Sequence, residues 1–474
     1  MKKMLTTLRD LTLIGTVLIL LSFQLLMADN FQPNILIIKM ESNKSIQSIL
    51  DDINGTVIDS IEGQNIYLVS SVRSFNADSM ASSVCQNQGV LFAQPNYLAD
   101  IPEGNQISQS FPDDRRPSLV YNISPPDYFG QDNILTINSD DANLISTGEG
   151  VLIGIIDNGI AFEHPLFQGF IANNGYDFND NDTDPSEEPG IAFGHGTFVA
   201  GLIKRVAPDC QIVPLRAFNG DGLGTVFSIA QAIYWAIDND LNILNMSFSL
   251  NTTEFLIAEA TRIASQNNII MVASCGNDGL EIMTYPAAYN NVIAVTSIDK
   301  QELLADFSNY GKYLDVCAPG VDIYSSLAGE YEWGTWSGTS FSTPMVSAAC
   351  ALVSSIIEDN GSIASRVKGI IRSSARTELL WGTVIPRDNE YGFGCLDARE
   401  AVISVVRGDV DNSGEINILD INYLVKYLYY NGPEPVPFTE IGDIDKSGII
   451  DYNDIQALIS LINSNNPGSP PIKE

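Results

Sequence analysis

Apolar and polar positions predict a layered α/β domain in the middle of the chain. From residue 151 onwards, short apolar runs alternate with segments of helical spacing, such as residues 225–237 and 253–265. This alternation favours a mostly parallel sheet with helices on both faces. Functional side chains of such sheets gather beyond the carboxyl ends of the strands. The predicted strands are residues 151–156, 211–218, 241–248, 269–273, 292–295 and 313–317.

A smaller α/β unit is predicted ahead of that domain, over residues 34–100. Residues 34–40 and 64–70 have the pattern of strands, and residues 45–53 have helical spacing. The following residues, 101–130, hold several Pro, Ser and Asp residues with weak periodicity, which is typical of a linker.

An uncharged apolar run, residues 11–27, follows three basic residues at the start of the chain. Basic residues ahead of an apolar core are the layout of a secretory signal, so we expect export and removal of residues 1–28. The run is also about as long as a short bilayer span, which leaves its retention as an anchor open. No second apolar run has this length, so we do not expect the mature form to enter a membrane.

Composition narrows the classes of function. The 474 residues include 24 basic and 58 acidic side chains, a formal charge of −34, and 45% hydrophobic residues, which excludes wholesale disorder. Nucleic acids and anionic membranes require clustered Lys and Arg, so neither is an expected partner. The acidity fits a protein that works outside the cell, or carboxylates that hold Ca²⁺.

Six cysteines are spread along the chain without a CxxC pair, so neither a zinc ribbon nor a redox motif is present. Buried free thiols are favoured, because a domain of this size does not need covalent staples. An even number of cysteines in an exported protein nevertheless leaves disulfides open. The residues are Cys85, Cys210, Cys275, Cys317, Cys350 and Cys395.

Two candidate catalytic residues belong to the first half of the central domain. Asp157 directly follows a predicted strand, where its carboxylate can orient an imidazole or cap a turn. His195 stands in Gly-His-Gly-Thr, and the flanking glycines allow other backbone to approach the ring closely. His164, in a turn before Pro165, is the rival histidine.

Two further candidates belong to its second half. Ser340, in Gly-Thr-Ser-Phe-Ser-Thr-Pro, opens an apolar helix, where it serves either as a nucleophile near the positive helix end or as an N-cap. Asn277 follows another predicted strand. Its amide is suited to donate to a developing oxyanion or to occupy a turn.

The order and motifs of these four residues resemble the subtilisin-like serine peptidases (subtilases), over residues 148–401. The resemblance implies that Ser340 is the nucleophile, that His195 is the general base and that Asp157 orients the imidazole. It also implies that Asn277 and the Ser340 N–H form the oxyanion hole.

The same resemblance implies a substrate-binding strand and a propeptide. His164-Pro165 matches a structural motif of many members, which removes His164 as the rival base. Residues 34–100 resemble a subtilase propeptide, a domain that leaves its C-terminal tail in the active-site cleft. Its processing point is expected between Tyr97 and Leu119. The segment that pairs with substrate backbone is expected to be Ser247, Phe248 and Ser249.

Two positions depart from the family pattern. Asn158 replaces the Ser or Thr that commonly follows the aspartate, and this affects a supporting hydrogen bond. Ser249 stands where a glycine is frequent beside the primary specificity pocket, so the shape of that pocket is left open.

Two acidic twelve-residue loops, beginning at Asp409 and Asp443, recur with a period of 34 residues. Oxygen-bearing side chains stand at positions 1, 3, 5, 9 and 12 and glycine at position 6, the spacing that a calcium loop needs. A single loop of this kind also fits an ordinary acidic turn, whereas two copies in register favour calcium. With the residues at position 7 included, the predicted ligands are Asp409, Asp411, Ser413, Glu415, Asn417 and Asp420 in one loop, and Asp443, Asp445, Ser447, Ile449, Asp451 and Asp454 in the other.

An apolar-periodic helix follows each loop, at residues 421–430 and 455–462. Asp rather than Glu at position 12, one helix per loop and the duplication resemble a dockerin module. The resemblance implies a cohesin domain on a secreted cellulosomal scaffold as the partner. The family's recognition positions are Ile418-Leu419 and Tyr452-Asn453.

A further acidic loop, residues 177–184, fits either a calcium site in the peptidase domain or a solvated loop. The sequence therefore predicts an exported subtilisin-like serine endopeptidase that cleaves polypeptides, with a propeptide (34–100), a linker (101–130), a peptidase domain (131–406) and a dockerin (408–465). The alternative is a catalytically inactive subtilase fold that serves as a binding or regulatory module on the same scaffold. The intact set of four candidate residues argues against this alternative.

Overall fold

The computed structural model describes residues 31–71, 76–103, 118–119, 128–172, 175–329, 332–357, 361–379, 382, 384–385 and 387–465. The predicted signal, residues 1–28, and most of the predicted linker lie outside the described residues. The chain divides into two compact units, residues 1–98 with 225–227, and residues 99–224 with 228–474.

The first unit is an antiparallel sheet of strands in the order β2-β3-β1-β4, with two helices. Leu36 and Ile38 of β1 are fully buried and pack with Ile49 and Val69, so one face of the sheet forms the core. The alternating exposure of β2 is typical of a half-buried strand. The elements are β1 (Phe31–Met40), α1 (Gln47–Ile53), β2 (Gly55–Ile61), β3 (Ile66–Ser71), α2 (Ala77–Val84) and β4 (Val90–Asp100).

The second unit contains a seven-stranded sheet in the order β13-β12-β11-β10-β6-β8-β7, with parallel neighbours throughout. Strands β14, β15 and β5 form a separate antiparallel sheet. The strands are β5 (Ser118–Leu119), β6 (Leu152–Asp157), β7 (Tyr176–Asp177), β8 (Gln211–Arg216), β9 (Leu223–Thr225), β10 (Ile243–Met246), β11 (Ile270–Ser274), β12 (Val292–Ile298), β13 (Val316–Pro319), β14 (Ile323–Ser326) and β15 (Trp333–Trp336).

Helices surround this sheet, and one of them lies wholly in the core. Every side chain of α8 from Thr339 to Val353 is buried, which is the environment of a helix that is apolar or small on all sides. The helices of this domain are α3 (Asp132–Leu135), α4 (Ser139–Ala142), α5 (His195–Val206), α6 (Val226–Asp238), α7 (Phe255–Gln266), α8 (Thr339–Ser354), α9 (Ile363–Ser374) and α10 (Ala398–Val406).

The C-terminal module consists of two helices, α11 (Ile418–Tyr430) and α12 (Tyr452–Asn465), each preceded by an acidic loop. Buried Val410, Leu424 and Leu458 form its small core. Each helix begins three residues earlier than its apolar period predicted. For α11 the reason is a capping box at Asn417, which starts the helix before the first apolar contact. Within the described residues, no helix is both long and apolar enough to cross a membrane.

Candidate active site and calcium loops

The sheet and a helix bring Asp157 and His195 together. Asp157 is the last residue of β6 and His195 the first of α5, and both side chains are buried. The Asp157 carboxylate oxygens lie 2.8 and 3.0 Å from His195 Nδ1. A donor at Nδ1 leaves Nε2 free to accept a proton, so the pair has the geometry that general-base chemistry requires.

Gly196, which directly follows His195, has no room for a side chain. A Cβ on Gly196 would lie 2.0 Å from the carbonyl oxygen of Gly159, so this close approach of backbone excludes any side chain. Asn158 Oδ1 also accepts from Gly196 N at 3.0 Å, and its Nδ2 donates to Ala192 O at 2.7 Å. The unusual Asn158 therefore supports both sides of the segment that carries His195.

Glu187 is a residue of the site that sequence reasoning missed. Its half-buried carboxylate accepts from Gly194 N, Thr197 N and Thr197 Oγ1 at 2.6, 2.6 and 2.9 Å. These donors are at the first turn of α5, so Glu187 anchors the helix end that positions His195. Burial, together with the nearby Asp157 carboxylate, outweighs these hydrogen bonds and raises the pKa of Glu187 to about 7.

Ser340 and Asn277 meet at the other side of the site. Ser340 is the second residue of α8 and fully buried, and Asn277 follows the end of β11. Thr339 donates to Asn277 Oδ1 from its N–H at 3.0 Å and from its hydroxyl at 2.8 Å. This pair of bonds orients the amide so that Nδ2 points into the site as a donor.

Glu103, from the predicted linker, fills the space between these groups. Its Oε2 accepts from Ser340 Oγ at 2.8 Å, and its Oε1 accepts from Asn277 Nδ2 at 2.8 Å. Oε2 also lies 3.4 Å from His195 Nε2. Gly338 makes room for this carboxylate, because a Cβ there would lie 1.9 Å from Oε1. The Glu103 carboxylate thus occupies the point to which the nucleophile, base and amide candidates all converge.

This carboxylate changes the protonation of the histidine. Burial lowers the pKa of His195, but the carboxylates of Asp157 and Glu103 outweigh it and raise the pKa to about 10. The two carboxylates therefore favour the imidazolium form of His195, and this form does not accept a proton from Ser340.

The three predicted substrate-binding residues follow β10, and they differ in what they offer to a bound chain. Phe248 is fully buried against Phe218, so its side chain belongs to the core. Ser247 exchanges hydrogen bonds with Ser340, since its carbonyl accepts from Ser340 Oγ at 3.1 Å and its hydroxyl donates to Ser340 O at 2.8 Å. Ser249 alone pairs with another segment, as an antiparallel bridge to Asp100.

Strand β4 ends at Asp100, and a turn at residues 102–103 follows it and carries Glu103 into the site. Ser249 N donates to Asp100 O at 3.4 Å, and Ile101 N donates to Gly222 O at 2.9 Å. Ile101 and Pro102 are buried, and Glu103 follows directly. The backbone of residues 100 and 101 is therefore bound on both edges by main-chain hydrogen bonds, as in the addition of a peptide strand.

His164 lies apart from this site. Its Nε2 is 2.8 Å from Glu332 O, its Nδ1 accepts from Leu166 N at 3.2 Å, and burial lowers its pKa. Both ring nitrogens serve local structure, which agrees with the structural role implied by the His-Pro motif.

The acidic loop 177–184 meets an arginine. Arg216 donates to the buried Asp177 at 2.5 Å, to Asp180 at 3.0 Å and to Glu188 at 2.6 Å. A guanidinium therefore already pairs with two of the four aspartates of this loop.

The two C-terminal loops have a different arrangement, because their carboxylates face one another. Each brings three aspartates together with oxygen atoms within 4.8 Å of one another: Asp409, Asp411 and Asp420 in one loop, and Asp443, Asp445 and Asp454 in the other. The positive φ angles of Gly414 (85°) and Gly448 (83°) permit the sharp turn at position 6.

Backbone donors hold the aspartate at position 12 in the same way in both loops. Asp420 accepts from Val410 N at 2.9 Å and Asn417 N at 2.8 Å, and Asp454 accepts from the corresponding Ile444 N and Asp451 N at 2.7 and 2.8 Å. Burial and the carboxylates of its loop raise the pKa of Asp420.

Of the other predicted ligands, Asn417 and Asp451 at position 9 accept from Leu419 N and Asn453 N at 2.8 and 2.6 Å, so their side chains cap the helices that follow. The hydroxyls of Ser413 and Ser447, at position 5, donate to the carbonyl oxygens of Glu415 and Ile449 at 3.2 and 3.0 Å. Oxygen atoms from side chains and main chain therefore converge in each loop, the donor set that Ca²⁺ prefers.

Three family models match successive parts of the chain. The Subtilase family model matches residues 148–394, the Fervidolysin N-terminal prodomain matches residues 27–96, and the Dockerin type I domain matches residues 407–463.

Individual relatives match the central domain. The thermophilic serine proteinase of Bacillus sp. (strain AK1) is 33% identical over 292 residues, which cover 59% of this chain and 67% of the relative. Thermitase of Thermoactinomyces vulgaris is 33% identical over 241 residues, 49% of this chain and 83% of the relative. The crystal structure of fervidolysin from Fervidobacterium pennivorans aligns with a TM-score of 0.65 at 20% identity, over 79% of this chain and 61% of that one. At this identity the likeness bears on the fold alone.

Proposed function

We propose that this chain, which belongs to the subtilase family, is a serine endopeptidase that a calcium-loaded dockerin tethers to a cohesin-bearing scaffold outside the cell. One observation carries the peptidase part: Ser340 and Asn277 converge on a single carboxylate beside the Asp157–His195 pair. A carboxylate bound in this way stands in for the carbonyl group of a peptide bond, whose oxygen becomes negative during attack.

In the proposed reaction, Ser340 Oγ attacks the carbonyl carbon while His195 Nε2 accepts the hydroxyl proton. Asn277 Nδ2 donates to the oxyanion, an interaction worth about 2.7–4 kcal/mol for one donor. His195 then protonates the leaving amine and the C–N bond breaks. Water, deprotonated by His195, releases the acid product from Ser340. Asp157 holds the imidazole tautomer and stabilises the imidazolium.

We further propose that the uncut chain is an inhibited precursor, with the 99–103 segment as its own inhibitor. The Glu103 carboxylate accepts a hydrogen bond from the Ser340 hydroxyl and stabilises the protonated form of His195. Both contacts oppose the proton transfer that starts the reaction. Activity therefore requires this segment to leave the cleft, for which a cut between Tyr97 and Leu119 is the expected route.

For the tether, each acidic loop would hold one Ca²⁺ through its carboxylates and the carbonyl oxygen at position 7. Three carboxylates within 4.8 Å of one another repel, and a divalent cation removes that repulsion. Ile418 and Leu419, which are about half exposed at the start of α11, offer an apolar surface to a cohesin.

A serine-directed fluorophosphonate tests the peptidase proposal. The full chain is produced and then activated by removal of its N-terminal region. The activated protein should become labelled at Ser340, as identified by peptide mass spectrometry. The Ser340→Ala variant, treated identically, is the control. Labelling of the wild type no greater than that of the variant would favour the alternative, a catalytically inactive binding module on the scaffold.

A further inference from the structure

Two of the six cysteines lie next to each other although they are 78 positions apart in the chain. Cys317 Sγ and Cys395 Sγ are separated by 3.1 Å, about 1 Å more than the length of a disulfide bond. Both residues are thiols in the structure and both are buried, with relative exposures of 0% and 2%.

The backbone places the two side chains opposite each other. Cys317 N donates to Gly394 O at 3.0 Å and Leu396 N donates to Cys317 O at 2.8 Å, so Cys317 and Cys395 form a directly opposed parallel pair. Neighbouring strands lie about 4.8 Å apart. This spacing falls within the range of roughly 4.4–6.8 Å that separates the Cα atoms of bridged cysteines.

The opposite edge of the Cys395 segment is also fixed. Arg376 and Cys395 exchange two backbone hydrogen bonds, at 2.7 and 2.9 Å. The side chains around the thiols are mainly apolar, with Ile298, Leu379 and Tyr391 in the same buried cluster. The sulfur atoms are therefore held in register by main chain on both sides and are kept from solvent.

A metal site does not account for this pair. Burial raises the pKa of the Cys317 thiol well above its usual value, and the neighbouring sulfur of Cys395 raises it further. Metal binding requires thiolates. Among the described residues, the clusters of possible metal ligands are the two aspartate triads of the C-terminal loops.

We propose that Cys317 and Cys395 form a disulfide bond when the chain folds under oxidising conditions. The two thiols lose two protons and two electrons as the S–S bond forms. A small-molecule disulfide such as oxidised glutathione takes up these protons and electrons and is reduced to two thiols. Because both thiols are buried in the folded chain, exchange takes place before the 394–396 segment docks against β13.

The bond closes a loop that contains Ser340 and the whole of helix α8. A cross-link over a loop of this length stabilises chiefly by restricting the unfolded chain. The bond would link the segment around Cys395 to β13, the edge strand of the central sheet. It would thereby oppose local unfolding of this segment.

Mass spectrometry of the full chain tests the bond directly. Ser340→Ala protein, which cannot cleave itself, is refolded in glutathione buffers of increasing oxidised fraction, denatured and alkylated without reduction. We expect a linked pair of peptides containing Cys317 and Cys395, lighter by two hydrogen atoms than their sum, that separates on reduction. Complete alkylation of both cysteines in the most oxidising buffer would overturn the proposal.

Thermal unfolding provides a second readout. Reduction should lower the Tm of the oxidised Ser340→Ala protein by on the order of 5–10 °C. The Cys317→Ala version should show no such change, whereas Cys350→Ala, an equally buried cysteine of α8, should retain it. If Cys317→Ala fails to fold, the mass measurement on the unsubstituted cysteines still decides. Equal Tm values before and after reduction, in protein whose linked peptides were detected, would refute the stabilising role.

Discussion

The acidic loops 177–184 and 409–420 are similar in composition, but their carboxylates have different neighbours. In the first, Arg216 pairs with two aspartates of the loop and with Glu188. In the second, three carboxylates face one another, and the pKa of Asp420 is raised. The comparison shows that a basic side chain from elsewhere in the fold decides whether the carboxylates of such a loop are paired.

Calcium removal should separate the two loops most strongly. We expect chelation with EDTA to abolish cohesin binding by the full chain, because the carboxylate triads lose the Ca²⁺ that is proposed to stabilise them. Peptide hydrolysis by the activated enzyme should persist, since Arg216 already pairs with two aspartates of the loop 177–184. Calorimetric titration with a cohesin and a peptide-hydrolysis assay measure the two effects.

Matched variants sharpen this test. Asp420→Asn and Asp454→Asn should each weaken cohesin binding, whereas Asp182→Asn, in the loop that faces Arg216, should leave it unchanged. Cohesin binding that is equally tight in EDTA would refute the calcium-dependent tether.

Removing the arginine should give the next largest effect. Arg216→Leu leaves Asp177 buried without its partner, and loss of one member of a buried ion pair costs about 3–5 kcal/mol. Urea unfolding of the peptidase domain in Ser340→Ala protein measures this loss. Glu188→Gln, which removes a half-exposed partner of the same arginine, should cost no more than about 1 kcal/mol.

Added Ca²⁺ tests whether the loop 177–184 can bind the ion when Arg216 is absent. If millimolar Ca²⁺ restored the stability of Arg216→Leu, the loop 177–184 would bind the ion as the C-terminal loops are proposed to do. We expect no such restoration.

A smaller effect on labelling is expected from Glu103, whose carboxylate faces His195, the proposed general base. Glu103→Gln keeps the side-chain shape but removes the charge that stabilises the His195 imidazolium. Fluorophosphonate labelling of the uncut chain should therefore become about tenfold faster, equivalent to about 1.4 kcal/mol. Glu149→Gln, at an exposed turn, should label at the wild-type rate. Unchanged labelling of Glu103→Gln would remove this carboxylate from the proposed inhibition.

The smallest expected effect is a change in pH dependence at Glu187. Its pKa is about 7 in the folded chain and 4.5 in the ordinary reference state. The folded state therefore retains the proton to higher pH, and this contribution to stability is present below about pH 4.5 and is lost as pH rises through 7. In Ser340→Ala protein, Glu187→Gln should flatten the fall of Tm between these values. Identical slopes with and without the substitution would contradict the assignment.

Local periodicity predicted most strands of the central sheet and the helices of the C-terminal module. It missed β2, which contains no long apolar run and alternates between exposed and partly buried residues. Its Ile58 is half exposed. It also missed β14 and β15, short strands whose partners are each other and β5 rather than the parallel sheet. Elements of this kind are stabilised by contacts that a local window does not contain.

The motifs around His195 and Ser340 and the spacing of the aspartates identified the candidate groups, because glycine, hydroxyl and carboxylate positions in those motifs follow from local chemistry. Glu103, Glu187 and Arg216 carried no such signal. Glu103 reaches Ser340 across 237 positions, and Arg216 reaches Asp177 across 39.

The sequence by itself therefore determined which chemical groups this protein can use, since the period of its side chains and the spacing of its motifs are local properties. Tertiary structure alone decided which groups meet: a carboxylate with the Ser340 hydroxyl, an arginine with one acidic loop, and two sulfur atoms 3.1 Å apart. The physical reason is that electrostatic and covalent pairing depends on distances of a few ångströms between residues far apart in the chain, and only the folded backbone sets those distances.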